Sequence, residues 1–311
     1  MISCPNSRQM CLLLISAAGL CLLTGCAVLT DRMVTKADKA APRNSETGVL
    51  LGAEERDLGP PNARGAVLLV HGFVGAGNNF ADLPERLAAR GWRVRVMRLP
   101  GHGVSPRDIE NMSPEELLDS VRSELRALQG KYERTVLVGH SMGGTLAVLV
   151  ATETDIDGLV LAAPFFRVTY HWYFILKPET WTRMTSWFLP CVCRLYPQVN
   201  RKQARCEIVA YKWVPTRALS VLYELAKRAG DEEVLRRITC PVLLIHSKRD
   251  FAASVKASKK IFERIPSTDK RAVWLDRSNH QLFWDYESEI VMREIERFVD
   301  PNSPSSPATL K

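Results

Sequence analysis

Three features of the 311-residue sequence predict an α/β fold with a mostly parallel central sheet, helices on both faces and an inserted helical cap. From Ala66 onward, short apolar runs alternate with segments of helical spacing, a pattern typical of parallel sheets covered by helices. A serine between glycines separates one of these strands from the helix that follows it. An aromatic-rich, net basic stretch at residues 167–237 interrupts the alternation, which predicts a cap above the carboxyl edge of the sheet.

Short apolar runs predict six strands, and helical spacing predicts four helices between or after them. The predicted strands are residues 66–70, 93–97, 135–138, 159–162, 242–246 and 272–275. The predicted helices are residues 80–90, 113–129, 143–152 and 288–299. Ser113 is the expected cap of the second helix, because Pro114 and two acidic residues follow it in the first turn.

The first 30 residues have the features of a secretory signal. Arg8 precedes an uncharged run at residues 9–30 whose strongly apolar centre is short. The run closes with Leu23-Thr24-Gly25-Cys26, which resembles the bacterial lipoprotein signal and implies cleavage before Cys26 and lipid attachment to that residue. This resemblance implies a membrane-anchored lipoprotein of the bacterial cell envelope that faces outside the cytoplasm, with the outer membrane favoured where there are two. An ordinary signal peptide or an uncleaved anchor is the alternative.

The sequence therefore divides into five predicted parts. These are a signal peptide at residues 1–25, a tether at 26–64, a core at 65–166 and 238–300, the cap at 167–237 and a disordered tail at 301–311. The net charge of +8 is modest and not concentrated on one element, so it favours an anionic membrane surface over dedicated nucleic-acid binding. Among the cysteines after the signal, Cys191 or Cys193 could pair with Cys206 in an oxidising compartment.

The strongest chemical signal is Gly139-His140-Ser141-Met142-Gly143, which lies between an apolar strand and a helix. In this context G-x-S-x-G is typical of a nucleophile elbow, a sharp turn that pushes the serine hydroxyl above the sheet. Side chains at residues 139 and 143 would collide with neighbouring backbone, so glycine is needed at both positions. Ser141 is therefore the candidate nucleophile, at a helix N-terminus that favours developing negative charge.

A serine hydroxyl needs a general base near neutral pH, and a base in turn needs an acid that orients it. Of the six histidines, only His280 follows the last predicted strand, late enough for the chain order serine, acid, histidine. Asp250 lies just after the preceding strand and is the predicted acid. Asp276 is the competing acid, but it lies only four residues before His280, where it is expected to cap the loop.

An oxyanion hole requires two backbone N–H groups that point to the charge formed during attack. The N–H of Met142, directly after the nucleophile, is the first expected donor. The second is expected from the glycine-rich turn after the first core strand, where Phe73 is preferred over Val74.

Taken in chain order, these motifs resemble α/β-hydrolases of the monoglyceride lipase, lysophospholipase and bacterial carboxylesterase group. The resemblance covers about residues 65–300 and includes Leu99-Pro100-Gly101-His102-Gly103 beside the elbow, Asp250 and His280. It implies the α/β-hydrolase fold and hydrolysis of acyl esters through an acyl-enzyme, without a metal or organic cofactor. One departure is Phe251-Ala252-Ala253, where such enzymes often have a polar residue and then valines.

The expected substrate is a small acyl ester or lipid with an apolar acyl chain, similar to a monoacylglycerol or a lysophospholipid. Thioester or aminoacyl hydrolysis by the same triad is the alternative within enzymes, because this fold hosts many leaving groups. A non-catalytic envelope lipoprotein that uses the fold as a binding module is the alternative outside enzymes. The sequence does not indicate an oligomeric state.

Overall fold

Seven strands form one central sheet in the computed structural model, which describes residues 28–169, 180, 182, 184, 190–194 and 197–301. Six of these strands run parallel, and only the edge strand β1 is antiparallel to its neighbour. The strand order is β1-β3-β2-β4-β5-β8-β9. The bounds are β1 Arg56–Leu58, β2 Gly65–Val70, β3 Arg93–Val96, β4 Arg134–His140, β5 Gly158–Ala162, β8 Val242–Ser247 and β9 Lys270–Leu275.

All six predicted strands are present, and the predicted mostly parallel sheet is confirmed. The central strands β2, β5 and β8 are buried along their whole length. Continuous apolar runs are what a strand needs when helices cover both faces of the sheet. The parallel register also brings the carboxyl ends of β4 and β8 to the same edge, where polar residues follow each strand.

Helices cover both faces of this sheet. The bounds of eight helices are α2 Leu83–Ala89, α3 Pro106–Glu110, α4 Pro114–Gln129, α5 Met142–Ala151, α6 Thr216–Ala229, α7 Glu232–Leu235, α8 Val255–Arg264 and α9 Ser288–Val299. One apolar core joins the sheet to α4, α5 and α6, and a second joins the opposite face to α2 and α9. Ser113 caps the N-terminus of α4 as predicted. Its hydroxyl accepts the N–H of Glu116 at 3.2 Å, and the Glu116 carboxylate accepts the N–H of Ser113 at 2.8 Å.

The segment predicted as a tether, residues 26–64, is ordered against the domain from residue 28 onward. Residues 28–39 are helical (α1), and Val34 on this helix is buried. The Asp38 carboxylate pairs with Arg43 at 2.5 Å and accepts the Ser105 hydroxyl at 2.9 Å. Farther along, β1 adds an edge strand to the sheet by pairing with β3. Because these contacts depend on individual side chains and on backbone pairing, composition alone did not indicate them.

The interval predicted as a helical cap contains strands as well as helices. Strands β6 (Cys191–Cys193) and β7 (Trp213–Pro215) form a two-stranded antiparallel sheet, and α6 follows directly. Helix α6 packs against α5, which carries the elbow serine at its start. The cysteine pair considered from the sequence is not formed, since Cys191 and Cys193 in β6 and Cys206 in a separate 3₁₀ helix are all free thiols.

Several predictions concern residues that the structure does not describe. The signal peptide, Cys26 and residues 302–311 of the predicted tail lie outside the described ranges. The division into signal, core, cap and tail stays a prediction. Within the described ranges, no helix combines the length and the apolar character that crossing a bilayer requires.

Candidate active site

Ser141 lies on a tight turn between β4 and α5, with φ 55° and ψ −118°. A non-glycine residue at positive φ is uncommon, and its strain is tolerated only where surrounding structure fixes it. A Cβ atom on Gly143 would lie 1.9 Å from the carbonyl oxygen of Val70, and one on Gly139 would lie 2.3 Å from the carbonyl oxygen of Gly143. Both glycines are therefore required by close backbone approach, as the sequence pattern predicts for a nucleophile elbow.

The structure brings the three predicted triad residues together at the carboxyl edge of the sheet. His280 Nε2 lies 2.8 Å from Ser141 Oγ, and His280 Nδ1 lies 2.8 Å from Asp250 Oδ2. All three side chains are buried, with at most 6% of any residue exposed. A serine, a base and an orienting acid in hydrogen-bond sequence form the arrangement that activates a hydroxyl nucleophile.

The Asp250 carboxylate has a hydrogen-bond partner on every side. Its Oδ1 accepts the backbone N–H groups of Ala252 and Ala253, both at 2.8 Å. Its Oδ2 is shared between His280 and His246 Nε2, which lies 3.1 Å away. Burial alone raises the pKa of Asp250, but the charge of His280 and the hydrogen bonds from His246 and His280 hold that pKa below its usual range. The carboxylate thus stays ionised and fixed in place.

The departure at Phe251-Ala252-Ala253 does not affect the position of the acid. The loop holds Asp250 through its backbone N–H groups, which any side chains at 252 and 253 leave available. The competing acid, Asp276, is exposed and pairs with Lys248 at 2.8 Å, so it does not contact His280.

Residues that the sequence analysis did not assign hold the triad in place. His246, at the end of β8, binds both Asp250 and the carbonyl oxygen of Ala253 at 3.3 Å. The Asn279 side chain accepts the N–H of His280 at 2.9 Å and that of Phe251 at 3.1 Å, which ties the histidine loop to the acid loop. His140 Nε2 donates to the carbonyl oxygen of His280 at 3.1 Å. Only the position of His246, four residues before the acid, could have suggested such a role.

The predicted oxyanion donors lie beside the nucleophile. Met142 is the first residue of α5, so its N–H has no partner within the helix. The N–H of Val74 donates to His102 Nε2 at 3.2 Å, which leaves Phe73 as the donor available from this turn. A Cβ atom on Gly72 would lie 2.9 Å from the Cβ of Ser141, so the turn can approach the nucleophile only with glycine at this position.

Two further buried histidines shape the same turn. His71 Nε2 accepts the N–H of Leu99 at 3.1 Å, and its Nδ1 donates to the carbonyl oxygen of Gly72 at 2.9 Å. His102 Nε2 accepts the N–H of Val74, and its Nδ1 donates to Pro100 at 2.9 Å. Burial lowers the pKa of His71 to about 3 and that of His102 to about 4. Both rings are therefore neutral, which the acceptor role of each Nε2 requires.

The triad opens into a cavity of about 330 Å³ between the core and the segment at 190–223. Its apolar lining includes Phe165 and the α6 residues Leu219, Leu222 and Tyr223. Among the described residues, no group of three His, Cys, Asp or Glu side chains is arranged to bind a metal.

The buried neutral histidines predict that stability falls as the pH is lowered from 7 to 5. Burial lowers the pKa of His140 to about 3, as it does for His71, whereas an unfolded histidine titrates near 6.5. The unfolded state therefore binds more protons in this range, and each of these two residues and His102 removes up to about 2 kcal/mol of unfolding free energy at pH 5. Urea unfolding at both pH values measures this loss, and His102→Gln should reduce it by about one third. Equal stability at both pH values would contradict the prediction.

Comparison with known proteins agrees with the fold. A family model described as "Serine aminopeptidase, S33" matches residues 61–287. A thermostable monoacylglycerol lipase from Bacillus sp. (strain H-257) is 31% identical over 255 residues, which is 80% of this chain and 96% of that protein. A carboxylesterase from Bacillus subtilis (strain 168) is 24% identical over 240 residues, which is 76% of this chain and 92% of that protein.

Two solved structures are similar over most of the chain. A metagenome-derived lipolytic enzyme, from a study of LipS and LipT, has a TM-score of 0.72 and 25% identity and covers 82% of this chain and 100% of its own. The monoacylglycerol lipase of Paleococcus ferrophilus has a TM-score of 0.68 and 23% identity over 80% of this chain and 99% of its own, a likeness of fold. Since the family model spans well over half of the sequence, the chain belongs to the serine aminopeptidase S33 family and has the α/β-hydrolase fold.

Proposed function

We propose that this carboxylic ester hydrolase cleaves monoacylglycerol- or lysophospholipid-like esters through an acyl-enzyme on Ser141. The observation that carries the proposal is the chain of hydrogen bonds from Ser141 through His280 to Asp250, 2.8 Å at each step, at the floor of a cavity with a largely apolar wall. The monoacylglycerol lipase and the carboxylesterase among the relatives support the same reaction class.

In the first half of the reaction, Ser141 Oγ attacks the ester carbonyl carbon while His280 Nε2 takes its proton. Asp250 holds the Nδ1 proton of His280 and stabilises the imidazolium that forms. The N–H groups of Phe73 and Met142 bind the oxyanion of the tetrahedral intermediate. His280 then gives its proton to the leaving oxygen, the alcohol departs, and the acyl group remains on Ser141.

In the second half, water replaces the alcohol. His280 takes a proton from this water as its oxygen attacks the acyl carbon, and the same N–H groups bind the second oxyanion. The ester bond to Ser141 then breaks, His280 returns the proton to Oγ, and the carboxylic acid is released. All steps use residues of this chain.

The cavity favours an acyl ester over an aminoacyl substrate. An aminopeptidase binds the α-ammonium of its substrate, which requires an acidic or densely polar subsite. No Asp or Glu occurs among the described residues that line the cavity, whereas Phe165, Leu219, Leu222 and Tyr223 provide apolar surface for an acyl chain. The family description names aminopeptidase activity, but the described lining of this cavity contains no carboxylate that would bind the α-ammonium of an aminopeptidase substrate.

The proposal predicts that kcat/KM rises by at least about 10-fold between acetyl and octanoyl esters of glycerol, because each buried methylene contributes about 0.8 kcal/mol. A titration of released acid measures this profile, with matched thioesters and aminoacyl anilides assayed beside the esters. Ser141→Ala and His280→Ala should abolish both turnover and labelling by a fluorophosphonate.

Ser123 is an exposed serine on α4, so Ser123→Ala is the matched control. This variant should turn over the esters and be labelled by the fluorophosphonate as the unmodified enzyme is. A flat profile beyond acetate would contradict the lipid-like substrate. Faster cleavage of the thioester or the anilide would favour the alternative leaving groups, and a folded protein that neither labels nor turns over would favour a binding module.

Asp250 and Asp276 predict opposite outcomes for the same isosteric change. Asp250→Asn removes the acceptor that sets the His280 tautomer, and such a change lowers kcat by roughly 10⁴-fold. Asp276→Asn removes only an exposed ion pair with Lys248, so kcat should stay within about two-fold. Steady-state kinetics on one ester tests both variants, and a large loss in Asp276→Asn would overturn the assignment of the acid.

We also propose that the enzyme is a lipoprotein of the bacterial envelope, anchored through lipidated Cys26 and facing outside the cytoplasm. The support is Leu23-Thr24-Gly25-Cys26 after a short apolar run. More than one acyl chain is needed for stable anchoring, since each buried CH₂ contributes about 0.8 kcal/mol.

The full chain, produced in a two-membrane bacterium, should therefore fractionate with the outer membrane and begin at an acylated Cys26 by mass spectrometry. Cys26→Ser should lose the acyl mass and the membrane association, while Cys21→Ser in the same apolar run should retain both. Membrane protein with an intact, unacylated N-terminus would instead support the uncleaved anchor.

A further inference from the structure

The cavity beside Ser141 and His280 is also lined by an arginine that has no counter-ion among the described residues. Arg194 directly follows β6, and its backbone N–H donates to the carbonyl oxygen of Lys212 at 2.7 Å. Its side chain lines the cavity together with Ser141 and His280. Among the described residues, no carboxylate lies within ion-pair distance of its guanidinium and no side-chain hydrogen bond satisfies it.

Arg95 is a partly buried arginine that does have carboxylate partners. It forms ion pairs with Glu55, Asp57 and Glu124, and its interactions with Glu124 and Glu55 raise its pKa. Desolvation acts without such compensation on Arg194 and lowers its pKa to about 10, so the group is still charged at neutral pH. A partly buried cation without a counter-ion is costly. An anionic ligand in the cavity would supply the counter-ion.

A second polar group in the same cavity also lacks a partner. The side-chain oxygen of Gln281 is buried and accepts no hydrogen bond from the described residues. Gln281 follows His280 directly, and its backbone N–H donates to the carbonyl oxygen of Gln198 at 3.0 Å. Gln198, four residues after Arg194, lines the cavity as well. Gln198 thus links a segment close to Arg194 in sequence to the loop of the catalytic histidine.

This connection indicates which part of the substrate the polar groups meet. His280 must hand its proton to the leaving oxygen, so the leaving alcohol lies on the side of His280. Gln281 and Gln198 belong to that side, while α6 and Phe165 supply apolar surface for the acyl chain. An alcohol with a hydroxyl and an anionic group would satisfy both the Gln281 oxygen and the Arg194 guanidinium.

We propose that Arg194 binds a phosphate on the leaving alcohol and that Gln281 accepts a hydrogen bond from its free hydroxyl, which makes monoacyl esters of hydroxyalkyl phosphates the preferred substrates. Guanidinium presents paired N–H donors that match phosphate oxygens, so a phosphate suits Arg194 better than a neutral glycerol does. This inference rests on the proposed ester hydrolysis and narrows its substrate class.

The test compares monodecanoylglycerol with its 3-phosphate, both dispersed in the same neutral detergent. These esters share acyl chain and scissile bond and differ only in the phosphate. Arg194→Gln should lower kcat/KM for the phosphate ester by roughly 10–100-fold, mainly through KM, since a hydrogen bond to a charged group is lost. The same substitution should change kcat/KM for the neutral ester by less than about three-fold. Arg194→Lys should give a kcat/KM for the phosphate ester between those of the unmodified enzyme and Arg194→Gln, because lysine keeps the charge without the paired donors.

Lys259→Gln is the matched control, because it removes one positive charge from an exposed position of α8 outside the cavity. It should leave both esters unchanged. Thermal unfolding gives a second measurement: removal of a partly buried cation that has no described counter-ion should leave the melting temperature equal or higher, whereas loss of a structural arginine should lower it. Glycerol 3-phosphate should raise the melting temperature of the unmodified enzyme and not that of Arg194→Gln.

Each other outcome overturns part of the scheme. If Arg194→Gln slows both esters equally, or lowers the melting temperature, the phosphate role is wrong and ester hydrolysis stands. If dependence on Arg194 appears only with the monomethyl ester of decanedioic acid, the anion lies at the acyl end and the assignment to the leaving alcohol is wrong. If the unmodified enzyme cleaves none of these esters while its serine still labels, the proposed monoacyl ester function fails as well.

Discussion

The turn that carries Ser141 forms only where three backbone segments meet without side chains between them. Gly143 lies against the end of β2, Gly139 against Gly143, and Gly72 against Ser141 itself. This contact fixes the strained backbone of Ser141, and the hydroxyl position follows from it. The acid and histidine loops then need only emerge at the same edge of the parallel sheet, which the strand order guarantees. The packing of the two apolar cores on either face keeps this arrangement from relaxing.

Uncharged histidines are the second element of the design. His71 and His102 act as acceptors for backbone N–H groups, which holds the oxyanion turn in a shape that glycines alone would leave flexible. His140 supports the backbone of His280. Because desolvation keeps these rings neutral, they add no positive charge that would compete with the imidazolium formed on His280. The protein thus surrounds the one histidine that gains a proton during catalysis with histidines that stay neutral.

Much of this site could be predicted from the sequence because its signals are local or ordered along the chain. The G-x-S-x-G turn, the strand before Asp250 and the late position of His280 each restrict the assignment to few residues. His246 and Asn279 could not be predicted, since their roles depend on how two loops meet in space. The β6–β7 pairing and the edge strand β1 were missed because three-residue strands carry too little periodicity. Arg194 was one basic residue among many in the sequence, and only the described lining of the cavity shows that it has no carboxylate beside it there.

The position of helix α1 limits how far the domain could lie from a membrane if Cys26 were lipidated. The described part of this helix starts at residue 28, two positions after Cys26 in the sequence. This helix is joined to the domain through Asp31 with Arg107 and through Asp38 with Ser105. Two residues span at most about 7 Å, so a lipid on Cys26 would leave the domain almost no slack. An enzyme held this closely searches a surface in two dimensions, and its substrates are then the lipids of the leaflet in which it is anchored. The short distance between the lipid anchor and the domain would then restrict the substrates of this enzyme as much as the cavity does.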